Sequence, residues 1–489
     1  MELESITPVL AVAVSSVAAL LIVVTRRWPN IREGWSVVAG IVKFLLVLTM
    51  VPAVLDGKTL RYTLWSLTPG VPILDFRVDA LGLLFAATAS FLWILTTVYS
   101  IGYMRSLHEH AQTRYYFCFA ITMSATLGVA FSSNLVTLYL FYELISFATY
   151  PLVAHKETDE AFDKGNKYVF YLLMTSKALL LASFLAYALS GTFDFKPNGV
   201  FPSDANRTLL TLTYFLFLIG IGKAAIMPFH AWLPAAMIAP TPVSALLHAV
   251  AVVNTGIFCI LRIMFDVFGV ELMKALNLGV MTAIIASITI IMASLYALTR
   301  DNLKALLAYS TISQLSYMVL GGALLTPAGM ASGIIHIANH ALGKITLFLC
   351  AGSIYVAAHK TKVSELNGIA KRMPYTMTAF ALGALSLIGF PLLGGFISKW
   401  YLTLGSIEAG LYPIVIVLVT STILNACYFL PIVYAAFFRE LPTGERADRH
   451  EAPTVMVVPL ALTAIGILIS FFMPSIFLDL AKMIVGEVK

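Results

Sequence analysis

Residues 222–249 read GKAAIMPFHAWLPAAMIAPTPVSALLHA, directly after the apolar run YFLFLIGI at 214–221. A membrane-spanning helix should run on here, yet the stretch holds Lys223, His248 and four prolines: Pro228, Pro234, Pro240 and Pro242. Proline removes a backbone donor and clashes with the preceding turn. A broken helix at membrane depth is tolerated where it lies within protein or lines a cavity. A second break is expected in SLIGFPLLGGFISKW at 386–400, with Pro391, Gly394 and Gly395. The lysine precedes the first break and follows the second, at Lys399. That reversal is the mark of an inverted repeat, and transporters place their sites at the midplane between such repeats.

The rest of the chain supports a membrane setting. Of 489 residues, 60% are hydrophobic and only 11% charged, against about 25% charged in soluble domains. Apolar runs of about twenty residues recur, the length that crosses the hydrocarbon core, and the alternating pattern of a membrane β-barrel is missing. The expected fold is therefore an all-α polytopic membrane protein. It has about fourteen spans, near 7–25, 35–55, 80–104, 115–131, 135–154, 167–189, 209–230, 241–265, 275–298, 303–325, 329–357, 375–404, 411–437 and 453–478. The first of these reads as a retained span rather than a cleaved signal. The expected divisions are 1–114 (helices 1–3), 115–266 (first five-helix repeat), 267–440 (second, inverted repeat) and 441–489 (helix 14).

The basic residues set the orientation. If the first loop, with Arg26, Arg27 and Arg32, is cytoplasmic, seventeen of the 31 Lys and Arg fall on that side, eight on the other and six within spans. This follows the positive-inside rule and puts both termini on the non-cytoplasmic side of a prokaryotic plasma membrane. The net charge of +6 is spread over short loops, so it is no nucleic-acid footprint. Cys118, Cys259, Cys350 and Cys427 lie far apart in apolar stretches, without ligand or disulfide spacing. No phosphate-binding loop or dinucleotide fingerprint is present. Neither metal nor cofactor is expected in this chain; redox chemistry, if any, belongs to a partner.

The six bases within spans are Lys43, Lys177, Lys223, Arg262, Lys344 and Lys399, against a single mid-span acid, Glu143. A charge at the bilayer centre costs roughly 2.5–3.5 kcal/mol on insertion scales. One carboxylate cannot neutralise six bases, so some must be neutral, hydrated or paired across a subunit boundary. His336, His340 and Lys344 recur at i, i+4 and i+8 and so share one helix face, which suits a proton relay. Metal binding by the two histidines is the other reading, but no acidic partner or third ligand is near in sequence.

Four stretches resemble a known family: FYEL at 141–144, the 222–249 stretch, RDNLKALLAYSTISQLSYM at 300–318, and HIANHALGKITLFLCAGSIY at 336–355 followed by GFPLLGGFISK at 389–399. They resemble the antiporter-like, proton-translocating subunits shared by respiratory complex I, group 4 membrane-bound hydrogenases and Mrp cation/proton antiporters. The likeness covers roughly residues 80–440. The motifs are most similar to the distal antiporter-like subunit of complex I, through PTPVSALLHA and Lys399. That subunit's lateral helix is not expected, because the chain ends soon after span fourteen. Asn254 departs from relatives of the middle type, which carry lysine there.

The resemblance implies a Glu143–Lys223 ion pair that gates a proton path from the cytoplasm at Lys223, through His248, His336, His340 and Lys344, to an exit at Lys399. Static ion pairing, a packing role for His248 and snorkelling of Lys399 are the alternatives. Ser310, Thr311 and Ser313 are expected to hold water along the path or to join helices. Lys304 reads as an accessory group or a topology charge. Lys177 either competes for Glu143 or pairs with a neighbouring subunit. The chain alone is expected to catalyse no reaction. Its expected partners are homologous antiporter-like subunits and a redox arm with iron–sulfur clusters, flavin or a nickel–iron centre. The alternative is an Mrp-type antiporter with no redox partner, in which sodium is carried as well as protons.

Overall fold

The computed structural model describes residues 2–68, 71–442 and 448–487. Residues 69–70 and residues 443–447, the latter in the last expected cytoplasmic loop, lie outside them. Strand β1 (Glu2–Glu4) leads into helices α1 (Thr7–Val24) and α2 (Pro29–Leu55), then strands β2 (Thr59–Thr68) and β3 (Val71–Val78). Helices α3 (Ala80–Ser106), α4 (Gln112–Ala130), α5 (Leu135–Val153), α6 (Asp159–Ser190) and α7 (Arg207–Gly220) follow. The first interruption comes after α7 and holds tight 3-10 turns and the one-turn α8 (Trp232–Ala235). Helical structure resumes with α9 (Thr241–Ala245) and α10 (Val252–Arg262), joined and followed by wider π-type turns at Leu246–Val250 and Ile263–Phe268. Next come α11 (Val270–Ala275), α12 (Leu278–Leu298), α13 (Leu303–Ala323), α14 (Pro327–Ala358) and α15 (Pro374–Ile388). After the second interruption, α16 (Gly394–Glu408), α17 (Tyr412–Phe438), α18 (Thr454–Phe472) and α19 (Ser475–Glu487) complete the bundle.

Among the described residues, ten helical stretches are long and apolar enough to cross a membrane. Their starts are written locally. Asn134, Thr158, Asn302 and Thr326 each accept a backbone N–H in the first turn of α5, α6, α13 and α14, satisfying one of the donors a helix start leaves open. Helix α14 is central. It is buried without a break from Ala328 to Ile354 and packs on α3, α13, α15, α16 and α18. By contrast α6 turns Phe170, Met174, Leu181 and Phe184 outward, the face a helix shows to lipid or to another membrane protein.

Two expectations are corrected. The chain is not all helix, because β1 pairs in parallel with β2, and β2 runs antiparallel to β3 from Leu60↔Val78 to Thr63↔Asp75. The Thr-, Tyr- and Trp-rich stretch between Asp56 and Asp79 supplies β2 and β3, its residues favouring a pleated surface. Arg262, counted as a lone base, is ion-paired through both terminal nitrogens of its guanidinium. Its guanidinium grips Asp79 through bonds of 2.5 and 2.9 Å and Asp266 at 2.6 Å. Asp79 also caps α3 through Gly82 N–H at 2.9 Å. The cluster ties the start of α3 to the end of α10, 183 residues apart in sequence.

Removing one partner of a buried pair leaves the other charge uncompensated, at about 3–5 kcal/mol. Arg262→Ala, which leaves Asp266 without its cation, should therefore destabilise the protein by that order and lower its melting temperature in detergent. A variant that melts with wild type would show that the cluster holds nothing together.

Candidate functional site

The interruptions place polar groups at membrane depth. Lys223 sits three residues beyond the end of α7 and is fully buried. Its Nζ donates to the carbonyl of Tyr142 at 2.8 Å and to Ser146 Oγ at 2.7 Å. The same atom lies 3.3 Å from the centroid of the Tyr142 ring, a favourable place for a cation. Tyr142 and Ser146 are one turn apart on α5 and so share a face. Glu143, the next residue, points about 100° away around a helix of 3.6 residues per turn. The expected Glu143–Lys223 ion pair is accordingly not made: among the described residues no carboxylate lies within 4.0 Å of Lys223, and neither Glu143 oxygen has a hydrogen-bond partner. Glu143 remains within electrostatic reach of Lys223.

Lys344, fully buried on α14, repeats the arrangement with α13. Its Nζ lies 3.0 Å from Ser310 Oγ and 3.4 Å from the Leu307 carbonyl. Tyr428 on α17 joins Ser310 at 3.1 Å and Asn425 at 2.5 Å. Of the other hydroxyls singled out on α13, Thr311 bonds its own helix at Leu307 and Ser313 bonds Ser294 on α12 at 3.0 Å. Ser310 alone of the three touches a buried amine.

At the second interruption, Lys399 donates to the carbonyls of Leu387 and Ile388, both at 2.9 Å. These are the last residues of α15, whose end leaves carbonyls without helical partners and carries a partial negative charge. Tyr317 places its ring 4.9 Å from the amine, and the two face a cavity of about 190 Å³ with Thr403 and Thr422. Pro391 lies in the gap, whereas Gly394 and Gly395 are the first two residues of α16. Gly395 approaches α15 so closely that an added Cβ would collide with the Ser386 carbonyl oxygen. Pro228 and Pro234 lie in the first interruption, Pro234 within its short helix.

His336 links this end to the centre. Its Nδ1 is 2.6 Å from Ser398 Oγ and its Nε2 is 3.0 Å from Gln314 Oε1. Gln314 in turn donates to the Leu387 carbonyl at 3.4 Å, the oxygen Lys399 also uses. The rings of His336 and His340 are 6.1 Å apart. His340 is within electrostatic reach of Lys344, His336 and His248. His248 occupies the π-type turn before α10, 4.8 Å from the Phe348 ring. Neither His248 nor His340 has a hydrogen bond to either ring nitrogen. Among the described residues no hydrogen bond joins Lys223 to His248 or His340 to His336, so the hydrogen-bonded network runs only from His336 through Gln314 to the Leu387 carbonyl that Lys399 shares.

Lys304 is half-buried, bonds the Ala239 carbonyl at 2.6 Å and borders a cavity of about 210 Å³. Lys177 is exposed on the outer face of α6 between Met174 and Leu181, away from this network. Lys43 is buried against the Met123 carbonyl at 2.9 Å and the Trp93 ring. Sequence reading missed Tyr142, Ser146, Gln314 and Ser398. Gln314 could have been found as the one amide side chain in the span 303–323 beyond its capping end. Tyr142 acts partly through its carbonyl, which no side-chain pattern reveals.

Fold and site together define a polytopic membrane protein of the antiporter-like type. The chain belongs to the NADH:quinone oxidoreductase/Mrp antiporter transmembrane family, whose model matches residues 132–425. It is 31% identical over 427 residues to NADH-quinone oxidoreductase subunit N of Desulforudis audaxviator, covering 84% of both chains. It is 30% identical over 499 residues to Na(+)/H(+) antiporter subunit A1 of Staphylococcus aureus, covering 96% of this chain and 61% of that one. The chain thus spans about three-fifths of the antiporter A subunits it matches. In fold it is similar to a chain of the Mrp complex from Dietzia, with TM-score 0.87, 21% identity and coverage of 99% of this chain and 97% of that one. A chain of the archaeal membrane-bound sulfane sulfur reductase gives TM-score 0.87 at 23% identity, covering 99% and 98%.

Gly395→Ala should destabilise the protein by about 1–3 kcal/mol, the usual scale for overpacking. Gly34→Ala, where an added Cβ meets nothing within 4 Å, should not lower the melting temperature. Equal melting of the two variants would contradict the close packing of the second interruption.

Proposed function

We propose that this chain translocates protons as one subunit of a larger assembly in a prokaryotic plasma membrane, along Glu143, Lys223, His248, His336, His340, Lys344 and Lys399. The observation that carries this reading is how the amines of Lys223, Lys344 and Lys399 are held. Lys223, Lys344 and Lys399 donate only to carbonyls and hydroxyls, and none has an ion-pair partner among the described residues. A neutral acceptor holds either protonation state of an amine, whereas a carboxylate would favour the charged one. Glu143, within electrostatic reach of Lys223 but not bonded to it, serves as the gate: approach of the carboxylate favours proton uptake at Lys223, and withdrawal favours release. The Gln314–His336–Ser398 contacts carry the proton to Lys399.

The architecture behind this reading is fourteen spans, with repeats at 115–266 and 267–440 in inverted sense, helices 1–3 within 1–114, and helix 14 within 441–489. Both termini lie on the non-cytoplasmic side. The two interruptions, with Lys223 inside the first and Lys399 in the helix after the second, support the repeat. The chain needs no cofactor of its own and catalyses no reaction alone. The driving force comes from partner subunits, with iron–sulfur clusters, flavin or a nickel–iron centre in a redox arm. Homologous antiporter-like subunits pack on its outer faces, where Lys177 needs a counter-charge. A second reading, favoured by the likeness to Na(+)/H(+) antiporter subunit A1, replaces the redox arm by exchange of sodium for protons.

Lys223→Ala in the reconstituted native assembly should reduce proton flux at least about tenfold, equivalent to about 1.4 kcal/mol, with assembly intact. Flux at the native rate would defeat the reading. Dependence of wild-type flux on sodium, with no electron donor present, would select the second form.

A further inference from the structure

We propose that Glu109, His110 and His155 form a binding site for a divalent transition-metal ion of the zinc type, where the α3–α4 loop meets the end of α5. The site lies outside the spanning helices and is independent of the proton path. One potential ligand atom from each of the three side chains falls within 4.8 Å of the others. His155 Nε2 is 3.8 Å from Glu109 Oε2, and the His110 and His155 rings are 4.9 Å apart.

The second observation concerns His155 itself. Its side chain is wholly buried, yet neither ring nitrogen makes a hydrogen bond. A buried polar group without a partner is unfavourable by about 1–3 kcal/mol, and here the ring faces two further ligand-type side chains. The histidine backbone is fixed as well, since Arg114 donates to its carbonyl at 3.2 Å. Arg114 does not cancel the attraction for a cation. It is ion-paired with Glu157, whose other oxygen lies 3.6 Å from His110 Nε2. Glu109 and Glu157 against one guanidinium leave one net negative charge.

Two imidazoles and a carboxylate match zinc, which takes nitrogen and oxygen ligands at about 2.0–2.2 Å and leaves a fourth position for water. Calcium and magnesium prefer all-oxygen sites. Drawing the donors together requires only side-chain movement, because His110 is exposed and Glu109 half-buried in a loop. The bound ion would staple that loop to the end of α5, the helix that holds Tyr142, Glu143 and Ser146.

The test uses the full chain in its purified assembly, without a polyhistidine tag and stripped with a chelator, titrated with Co²⁺ and then Zn²⁺. One Co²⁺ per chain should bind with visible ligand-field absorption, be displaced by Zn²⁺, and raise the melting temperature. His155→Gln and His110→Ala should each weaken binding at least about tenfold, about 1.4 kcal/mol, and abolish the metal-induced rise. Melting of the metal-free variants shows whether each is folded; should His155→Gln not fold, the exposed His110→Ala decides alone. Absence of a saturable site in wild type, or equal binding by the folded variants, would overturn the proposal.

Discussion

No buried amine in this protein can do without an oxygen, and the architecture follows from supplying one. Hydrocarbon offers no water to an ammonium or to a free carbonyl. Lys43, Lys223, Lys344 and Lys399 each find a backbone carbonyl, at Met123, Tyr142, Leu307 and Leu387. A carbonyl inside an intact helix has a partner already and offers only its second lone pair. At the end of α15 the carbonyls are open, and there Lys399 makes two bonds instead of one. The second break thus supplies open carbonyls to Lys399, whereas Lys43, Lys223 and Lys344 draw on carbonyls within α4, α5 and α13.

The same logic separates two kinds of charge. Arg262 is locked by Asp79 and Asp266, with the fork of a guanidinium matched to carboxylate. Such a group stays protonated and serves to hold α3 against α10. The lysines of the central network have hydroxyls and carbonyls around them. Ser146, Ser310 and Ser398 recur at the points where a lysine or histidine must be held without fixing its charge. Glu143 fits the second group, buried yet unbonded on α5.

Much of this was legible in sequence. The prolines of 222–249 and the Pro391–Gly395 segment announced the interruptions, because their backbone chemistry is local. The shared face of His336, His340 and Lys344 followed from helical spacing. The partners did not. Tyr142 lends a carbonyl that leaves no trace in the side-chain pattern. Asp79 and Arg262 meet across 183 residues, a tertiary contact that no periodicity encodes. The Glu143–Lys223 pair was misjudged because one residue along a helix turns a side chain by about 100°. Asp79, which caps α3 and anchors the structural ion cluster, drew no notice in sequence.

The most direct test of the central claim is proton flux in the reconstituted native assembly carrying Lys344→Arg. Arginine keeps a positive charge at the bilayer centre but does not release its proton. If Lys344 works by taking up and giving up a proton, flux falls at least about tenfold while assembly and the driving reaction persist. Flux equal to wild type would mean that a fixed positive charge suffices there, and that protons do not pass through this lysine.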